Sequence, residues 1–106
     1  MSFRYMRLFV MFDLPVETSA QKRQYRRFRK FLIEKGFIME QYSIYSKLVL
    51  NHSVASSYQK QLRANLPPQG NIQMLIITEK QYSDIIVLRG EKQTNIESST
   101  ERKVIL

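Results

Sequence analysis

An unbroken run of five apolar residues, at positions 8–12, ends directly at the carboxylate of Asp13. A strand with one wet face alternates apolar and polar residues, so a continuous run indicates a strand that is covered on both faces. Pro15 stops the strand just beyond the carboxylate, because proline has no backbone N–H to donate to a neighbouring strand. The sequence therefore predicts a buried central strand over residues 4–12, with Asp13 at its carboxyl end.

A helix is predicted over residues 19–35, because both of its ends carry recognisable signals. Thr18 and Gln21 have the spacing of a capping box at the first turn, and Gly36 is a suitable residue to end the helix. Apolar residues recur at helical spacing on one side of this segment, which gives the helix a face for a core. These residues are Tyr25, Phe28, Phe31 and Leu32.

Four further elements are predicted between position 37 and position 78. Residues 37–50 are extended in character but exceed the usual length of a strand, so we interpret them as two antiparallel strands. The turn between these strands lies near residues 41–43 or near residues 46–47, because no glycine or proline marks it. Residues 51–66 then predict a second amphipathic helix, and residues 72–78 predict a fourth strand with apolar residues on both faces.

The order strand, helix, strand, strand, helix, strand is that of a ferredoxin-like α+β fold, βαββαβ, with both helices on one face of an antiparallel sheet. We expect this domain to span residues 1–90, of which 80–90 form a helical turn leading into a strand. Residues 91–106 predict a polar linker and an additional C-terminal strand at 103–106. Because the first and fourth strands carry apolar residues on both faces, the sequence favours a homodimer packed sheet to sheet, with the extra strand pairing with the partner subunit. The alternative is a monomer in which residues 80–106 cover their own sheet.

The charge balance favours a polyanionic partner. The chain has 17 Lys and Arg residues against 9 Asp and Glu residues, a formal net charge of +8, which is typical of small proteins that bind nucleic acid. A basic protein without such a partner, or one that contacts an acidic protein surface, is the alternative. Cations crowd the side of the first helix opposite its apolar face, which favours contact with phosphates over a merely solvated face. The predicted phosphate contacts are Lys22, Arg23, Arg26, Arg27 and Lys30, with Arg29 at their flank.

Several classes of protein are disfavoured by what the sequence lacks. The chain has no cysteine, which excludes disulfides and sites built on cysteine, and fits a reducing compartment. No apolar run is long enough to span a bilayer, and the first residues show no cleavable secretory pattern. We therefore expect a cytoplasmic protein with no membrane partner.

Few residues are candidates for catalysis. There is no P-loop, zinc-protease helix or nucleophile elbow, and the single histidine, His52, lies at a predicted helix start where a surface or capping role is typical. Asp13 either closes the strand through an Asx turn or binds a metal ion. One carboxylate is a poor Mg²⁺ site, but two carboxylates at a dimer axis could hold one hydrated ion and a phosphodiester.

Several segments, in their order and spacing, resemble the small CRISPR-associated adaptation protein family, Cas-two, in a form similar to that of type II-A systems. The likeness runs through most of the chain. The segments that carry it are 12–15 (FDLP), 25–32 (YRRFRKFL), 35–39 (KGFIM), 41–45 (QYSIY), 78–82 (TEKQY) and the tail 101–106 (ERKVIL).

The resemblance implies a ferredoxin-like homodimer that acts in spacer acquisition, as a bridge between two dimers of the CRISPR integrase that helps to hold incoming duplex DNA. It also implies a metal-dependent nuclease activity on RNA or DNA in some members, with Asp13 as the catalytic residue and Mg²⁺ ligand. Many members have tyrosine before this aspartate, whereas this chain has Phe12 and lacks the hydroxyl. In the family the integration chemistry belongs to the partner, which agrees with the small number of catalytic groups found here.

Overall fold

The structure is a computed structural model that describes residues 5–91 of the chain. The strands of the described part form a single antiparallel sheet, and this α+β arrangement confirms the predicted ferredoxin-like fold. Within residues 5–91, no helix is both long enough and apolar enough to cross a membrane. The elements are β1 (Met6–Asp13), α1 (Ser19–Glu34), β2 (Ile38–Gln41), β3 (Ile44–Val49), α2 (His52–Arg63), β4 (Asn71–Thr78) and α3 (Glu79–Ser83).

Helix α1 begins and ends where the sequence signals predict. The N–H of Gln21 donates to Oγ1 of Thr18 at 3.1 Å, and the N–H of Thr18 donates to Oε1 of Gln21 at 3.0 Å, which completes the capping box. Gly36 has a φ of +92°, a conformation that glycine adopts without steric cost. The N–H groups of Gly36 and the next residue donate to carbonyl groups of the last helical turn, as in a Schellman motif.

The sheet has the strand order β2-β3-β1-β4, so β1 lies inside it with Asp13 as its last residue. The turn between β2 and β3 consists of Tyr42 and Ser43, which selects the first of the two predicted positions. Ser43 has a φ of 68°, an uncommon conformation for a residue with a side chain. Its carbonyl accepts a hydrogen bond of 3.0 Å from the N–H of Phe12, which ties the turn to the end of β1.

The prediction for residues 80–90 is right about a helical turn and wrong about a strand that follows it. The helical turn, α3, begins at Glu79, and the apolar run at positions 85–88 forms neither helix nor strand. A second capping box, made by Thr78 and Gln81, starts α3 directly at the end of β4. The predicted linker from position 92 and the C-terminal strand at 103–106 lie outside the described residues.

The main core lies between the sheet and the two long helices. Leu8, Val10 and Phe12 alternate along β1 and point into this core, where Phe28 and Leu32 of α1 meet them. The ring of Phe12 packs against three other rings, with centroid distances of 5.1 Å to Phe28, 5.8 Å to Tyr45 and 5.9 Å to Tyr25. This aromatic cluster joins β1, β3 and α1 directly beside the candidate carboxylate.

The opposite face of the sheet, which we call the open face, is covered only in part by the described residues. Helix α3 lies on it through Tyr82, whose ring centroid is 5.8 Å from that of Phe9. Leu75 and Leu48, on β4 and β3, stay 48% and 44% exposed on this face. Within the described residues, the prediction that β1 is covered on both faces therefore holds for its core side and only in part for the open face. Sheet-to-sheet pairing of two copies stays a prediction.

Candidate nucleic-acid interface and carboxylate site

The five cations predicted to contact phosphates are all exposed residues of α1. Together they form what we call the α1 cationic surface: Lys22, Arg23, Arg26, Arg27 and Lys30. They lie on the side of the helix away from the buried residues Phe28 and Leu32. At 1.5 Å per residue, the surface extends for about 12 Å along the helix axis.

Little negative charge offsets this surface. Nζ of Lys30 is 4.0 Å from a carboxylate oxygen of Glu34, and both side chains are largely in solvent, so this ion pair is weak. Within residues 5–91, no acidic side chain pairs with the other four cations. Like charges three and four positions apart destabilise an isolated helix by about 0.2–0.5 kcal/mol per pair, a cost that a bound polyanion would remove.

Arg29 differs from these cations because its side chain is anchored on the sheet. Its Nε donates a hydrogen bond of 2.8 Å to the hydroxyl oxygen of Tyr45 on β3. Tyr45 is only 1% exposed, so the anchor point belongs to the rigid core. The two residues are 16 positions apart, and no local sequence signal predicts this contact.

Asp13 is exposed at the carboxyl end of β1, opposite Asn71 of β4. It borders an open depression of about 330 Å³, which the β2–β3 turn also lines through Tyr42 and Ser43. Tyr42 is 85% exposed there. Within the described part of the chain, the carboxylate has no cationic partner, and no group of three or more His, Cys, Asp or Glu residues stands close enough to hold a metal ion.

The oxygen donors of this depression are of the type that Mg²⁺ prefers, but one chain contributes a single carboxylate. His52 is the first residue of α2 and is exposed, as expected for a surface residue. Phe12 points into the aromatic cluster, whereas the next residue of a strand points to the other face. A tyrosine hydroxyl at position 12 would therefore be directed toward the core side of the sheet and away from the Asp13 carboxylate.

A polar network on the open face was not predicted from the sequence. Arg7 binds Glu79 through two hydrogen bonds of 2.7 and 3.1 Å, and its guanidinium carbon lies 4.1 Å from the ring centroid of Tyr82. The hydroxyl of Tyr82 donates at 2.7 Å to Glu40, which also accepts from the hydroxyl of Ser46. Burial, and then the hydrogen bond to Glu40, raise the pKa of Tyr82 well above its ordinary value of 10.0. The network fastens α3 to the sheet.

These features define a small ferredoxin-like α+β protein with a strongly cationic helix and an exposed carboxylate at the end of its central strand. The family model described as CRISPR associated protein Cas2 matches residues 6–85. The chain therefore belongs to the CRISPR-associated Cas2 family, and the resemblance drawn from the sequence is confirmed.

Curated relatives agree with this assignment, and a solved structure agrees with the fold. A protein of Streptococcus mutans serotype c is 48% identical over 101 residues, covering 95% of this chain and 93% of the relative. A protein of Ligilactobacillus salivarius is also 48% identical, covering 95% of this chain and 100% of the relative. Both relatives are named CRISPR-associated endoribonuclease Cas2. A solved structure described as a crystal structure of Cas2 matches with a TM-score of 0.58 at 15% identity, over 87% of this chain and 94% of that chain, a likeness of fold.

Proposed function

We propose that this protein is a homodimeric, non-catalytic bridge in the CRISPR adaptation complex and binds incoming duplex DNA through the α1 cationic surface. Two copies pair through the open faces of their sheets, and each end of the bridge meets a dimer of the CRISPR integrase. The observation that carries the proposal is the set of five exposed cations on one helix, of which only Lys30 has an acidic neighbour within residues 5–91. Membership of the Cas2 family supports the CRISPR role.

The chemistry of this surface suits the DNA backbone more than the bases. Lys and Arg side chains on phosphates release condensed counterions, which gives affinity without reading sequence. A protein that accepts incoming DNA of any sequence needs this kind of contact. The exposed apolar residues of the open face, including Leu48 and Leu75, supply the surface for pairing.

Charge reversal tests the DNA contact. The double variant Arg23→Glu with Arg26→Glu is expected to bind duplex DNA at least about tenfold more weakly at physiological salt, because two phosphate contacts become repulsive. Fluorescence anisotropy with a labelled duplex measures the loss. The matched control is Lys60→Glu with Arg63→Glu on α2, which changes the net charge by the same amount and should keep most of the affinity. Equal losses in both variants, or no loss in the first, would remove the assignment to α1.

The integrase contact needs its own experiment, because a basic protein could also serve as a module for an acidic protein surface. We expect the purified protein to form a complex with the integrase subunit in the absence of DNA, as measured by sedimentation velocity. The Arg23→Glu, Arg26→Glu variant should still form this complex with the integrase subunit, although its affinity for duplex DNA is reduced. If the complex forms only when DNA is added, the protein does not contact the integrase subunit directly, and the proposed bridge is contradicted.

A second candidate function is a Mg²⁺-dependent nuclease that cleaves single-stranded RNA or duplex DNA. Two observations favour it: relatives carry the name endoribonuclease, and Asp13 offers an exposed carboxylate without an ion-pair partner in the described chain. Mg²⁺ is bound by one or two carboxylates together with water and phosphate oxygens, so the Asp13 residues of two paired copies would suffice. The ion would supply charge neutralisation at the phosphate and a more acidic water.

Substitution of this carboxylate separates the two functions. If Asp13 holds the ion, Asp13→Ala abolishes cleavage of RNA or DNA by purified protein, and Asp84→Ala, which removes another exposed carboxylate, keeps it. Equal cleavage by both variants would place the activity elsewhere. Spacer uptake in cells that survives Asp13→Ala would show that catalysis by this subunit is not its cellular role.

A further inference from the structure

Arg29 is anchored through its side chain by a hydrogen bond to the sheet. Within residues 5–91, it is the one Lys or Arg of this helix whose side chain hydrogen-bonds to the sheet, through Nε and the hydroxyl of Tyr45 at 2.8 Å. Tyr45 is itself fixed, because it is 1% exposed and its ring stacks on that of Phe12 with a centroid distance of 5.8 Å and an interplanar angle of 23°. The guanidinium is therefore attached to a part of the core that cannot easily move.

The position of Arg29 on the helix continues the α1 cationic surface. It follows Lys22 by seven residues and Arg26 by three, spacings that bring side chains to the same side of a helix. These three residues extend over about 10 Å of the helix axis. This row lies toward β3, since Tyr45 belongs to that strand. Arg29 thus forms the border of the cationic surface next to the sheet.

The hydrogen bond to Tyr45 leaves most of the guanidinium available. Arginine has five N–H donors, and the Nε–H is used by the tyrosine, so the four N–H groups of the two terminal nitrogens remain. Within the described residues these terminal nitrogens have no acidic partner. A planar fork of N–H groups matches two oxygens of one phosphate. A side chain that is already ordered also loses less conformational entropy on binding.

We propose that Arg29 is a further phosphate-binding residue for duplex DNA and that Tyr45 is its positioning residue, acting through the hydroxyl that fixes the guanidinium. The inference rests on the proposed DNA-binding function and adds to it a pre-oriented contact at the sheet side of the surface. Tyr45 lies in the core and would not touch DNA itself.

A double-mutant cycle tests this coupling by measuring duplex DNA affinity across a salt series for Arg29→Gln, Tyr45→Phe and the combination. Arg29→Gln should weaken binding about fivefold and make the slope of log K against log salt less negative by about 0.9, since one phosphate contact is lost. Tyr45→Phe should weaken binding about two- to fivefold, no more than Arg29→Gln does, with the slope retained, because the phosphate contact persists but the Arg29 side chain must be ordered on binding. In the Arg29→Gln background, Tyr45→Phe should have no further effect.

Tyr25→Phe is the matched control, because Tyr25 also packs on Phe12 but its hydroxyl makes no hydrogen bond within residues 5–91. This variant should bind like the wild type. If Tyr45→Phe weakens binding equally with and without Arg29, the effect is one of general packing, and the positioning role is overturned. Wild-type affinity in Arg29→Gln, an exposed substitution that should fold, overturns the inference alone. Absence of DNA binding by the wild type overturns the proposed function as well.

Discussion

The aromatic cluster around Phe12 makes the packing of this small core directly measurable. Phe12 is buried and contacts three rings at centroid distances of 5.1–5.9 Å. Replacement by leucine removes the ring contacts, each worth about 0.5 kcal/mol or more beyond burial, and some apolar area worth about 1 kcal/mol. We expect Phe12→Leu to lower the free energy of unfolding by about 2–3 kcal/mol.

Phe31→Leu is the matched comparison, because Phe31 is half-buried and, within residues 5–91, has one ring neighbour, Phe28, at a centroid distance of 6.4 Å. Its cost should stay below about 1 kcal/mol. Urea unfolding followed by circular dichroism measures both variants, and at about 4–8 °C per kcal/mol the difference is also visible in Tm. If Phe12→Leu costs no more than Phe31→Leu, the cluster does not organise the core and the packing argument fails.

Three other predictions concern the open face and the end of β1. Sedimentation equilibrium at micromolar concentration should show dimers for the wild type and monomers for Leu75→Glu, because the variant would bury a charge between the two sheets. Monomers of the wild type would refute the pairing. Since the pKa of Tyr82 is raised in the folded state, its contribution to stability is complete below pH 10.0 and declines as the pH rises further. Wild-type protein should therefore lose more unfolding free energy above that pH than Tyr82→Phe does, and parallel pH profiles would contradict the effect of the Glu40 hydrogen bond. Gly70 has a φ of +100°, and a Cβ at this position would lie 2.7 Å from the carbonyl oxygen of Asp13. Gly70→Ala should therefore lower the free energy of unfolding, measured with urea, by about 1–3 kcal/mol. An unchanged free energy of unfolding would contradict the close approach.

Local signals in the sequence were sufficient for most of the fold. The capping box of Thr18 and Gln21 and the glycine at position 36 fix the ends of α1 within a residue, because each acts through hydrogen bonds of neighbouring residues. The same Thr-x-x-Gln signal recurs at Thr78 and Gln81, and it would have placed α3 correctly. The strand predicted after this turn is absent from the described residues, because the hydrophobicity of the run at 85–88 does not by itself determine the conformation of the backbone.

The β2–β3 turn could not be placed from the sequence, because its left-handed position is occupied by Ser43 where glycine or asparagine is usual. The five cations of the α1 surface were found from helical periodicity, which needs no knowledge of the rest of the chain. The hydrogen bond between Arg29 and Tyr45 depends on how α1 lies over β3. The contact of Arg7 on β1 with Glu79 of α3 depends on the pairing of β1 with β4. Such contacts between distant positions follow from the tertiary structure and not from local pattern.

The salt dependence of duplex DNA binding by the wild-type protein tests the central proposal most directly. If the five cations of the α1 cationic surface each neutralise one phosphate, log K should fall with log salt with a slope of about −4 to −5 per subunit, since each contact contributes about −0.9. The contact proposed for Arg29 would bring the slope to about −5 to −6. Binding that is flat across the salt series, or too weak to detect at low salt, would contradict the assignment of this helix to DNA.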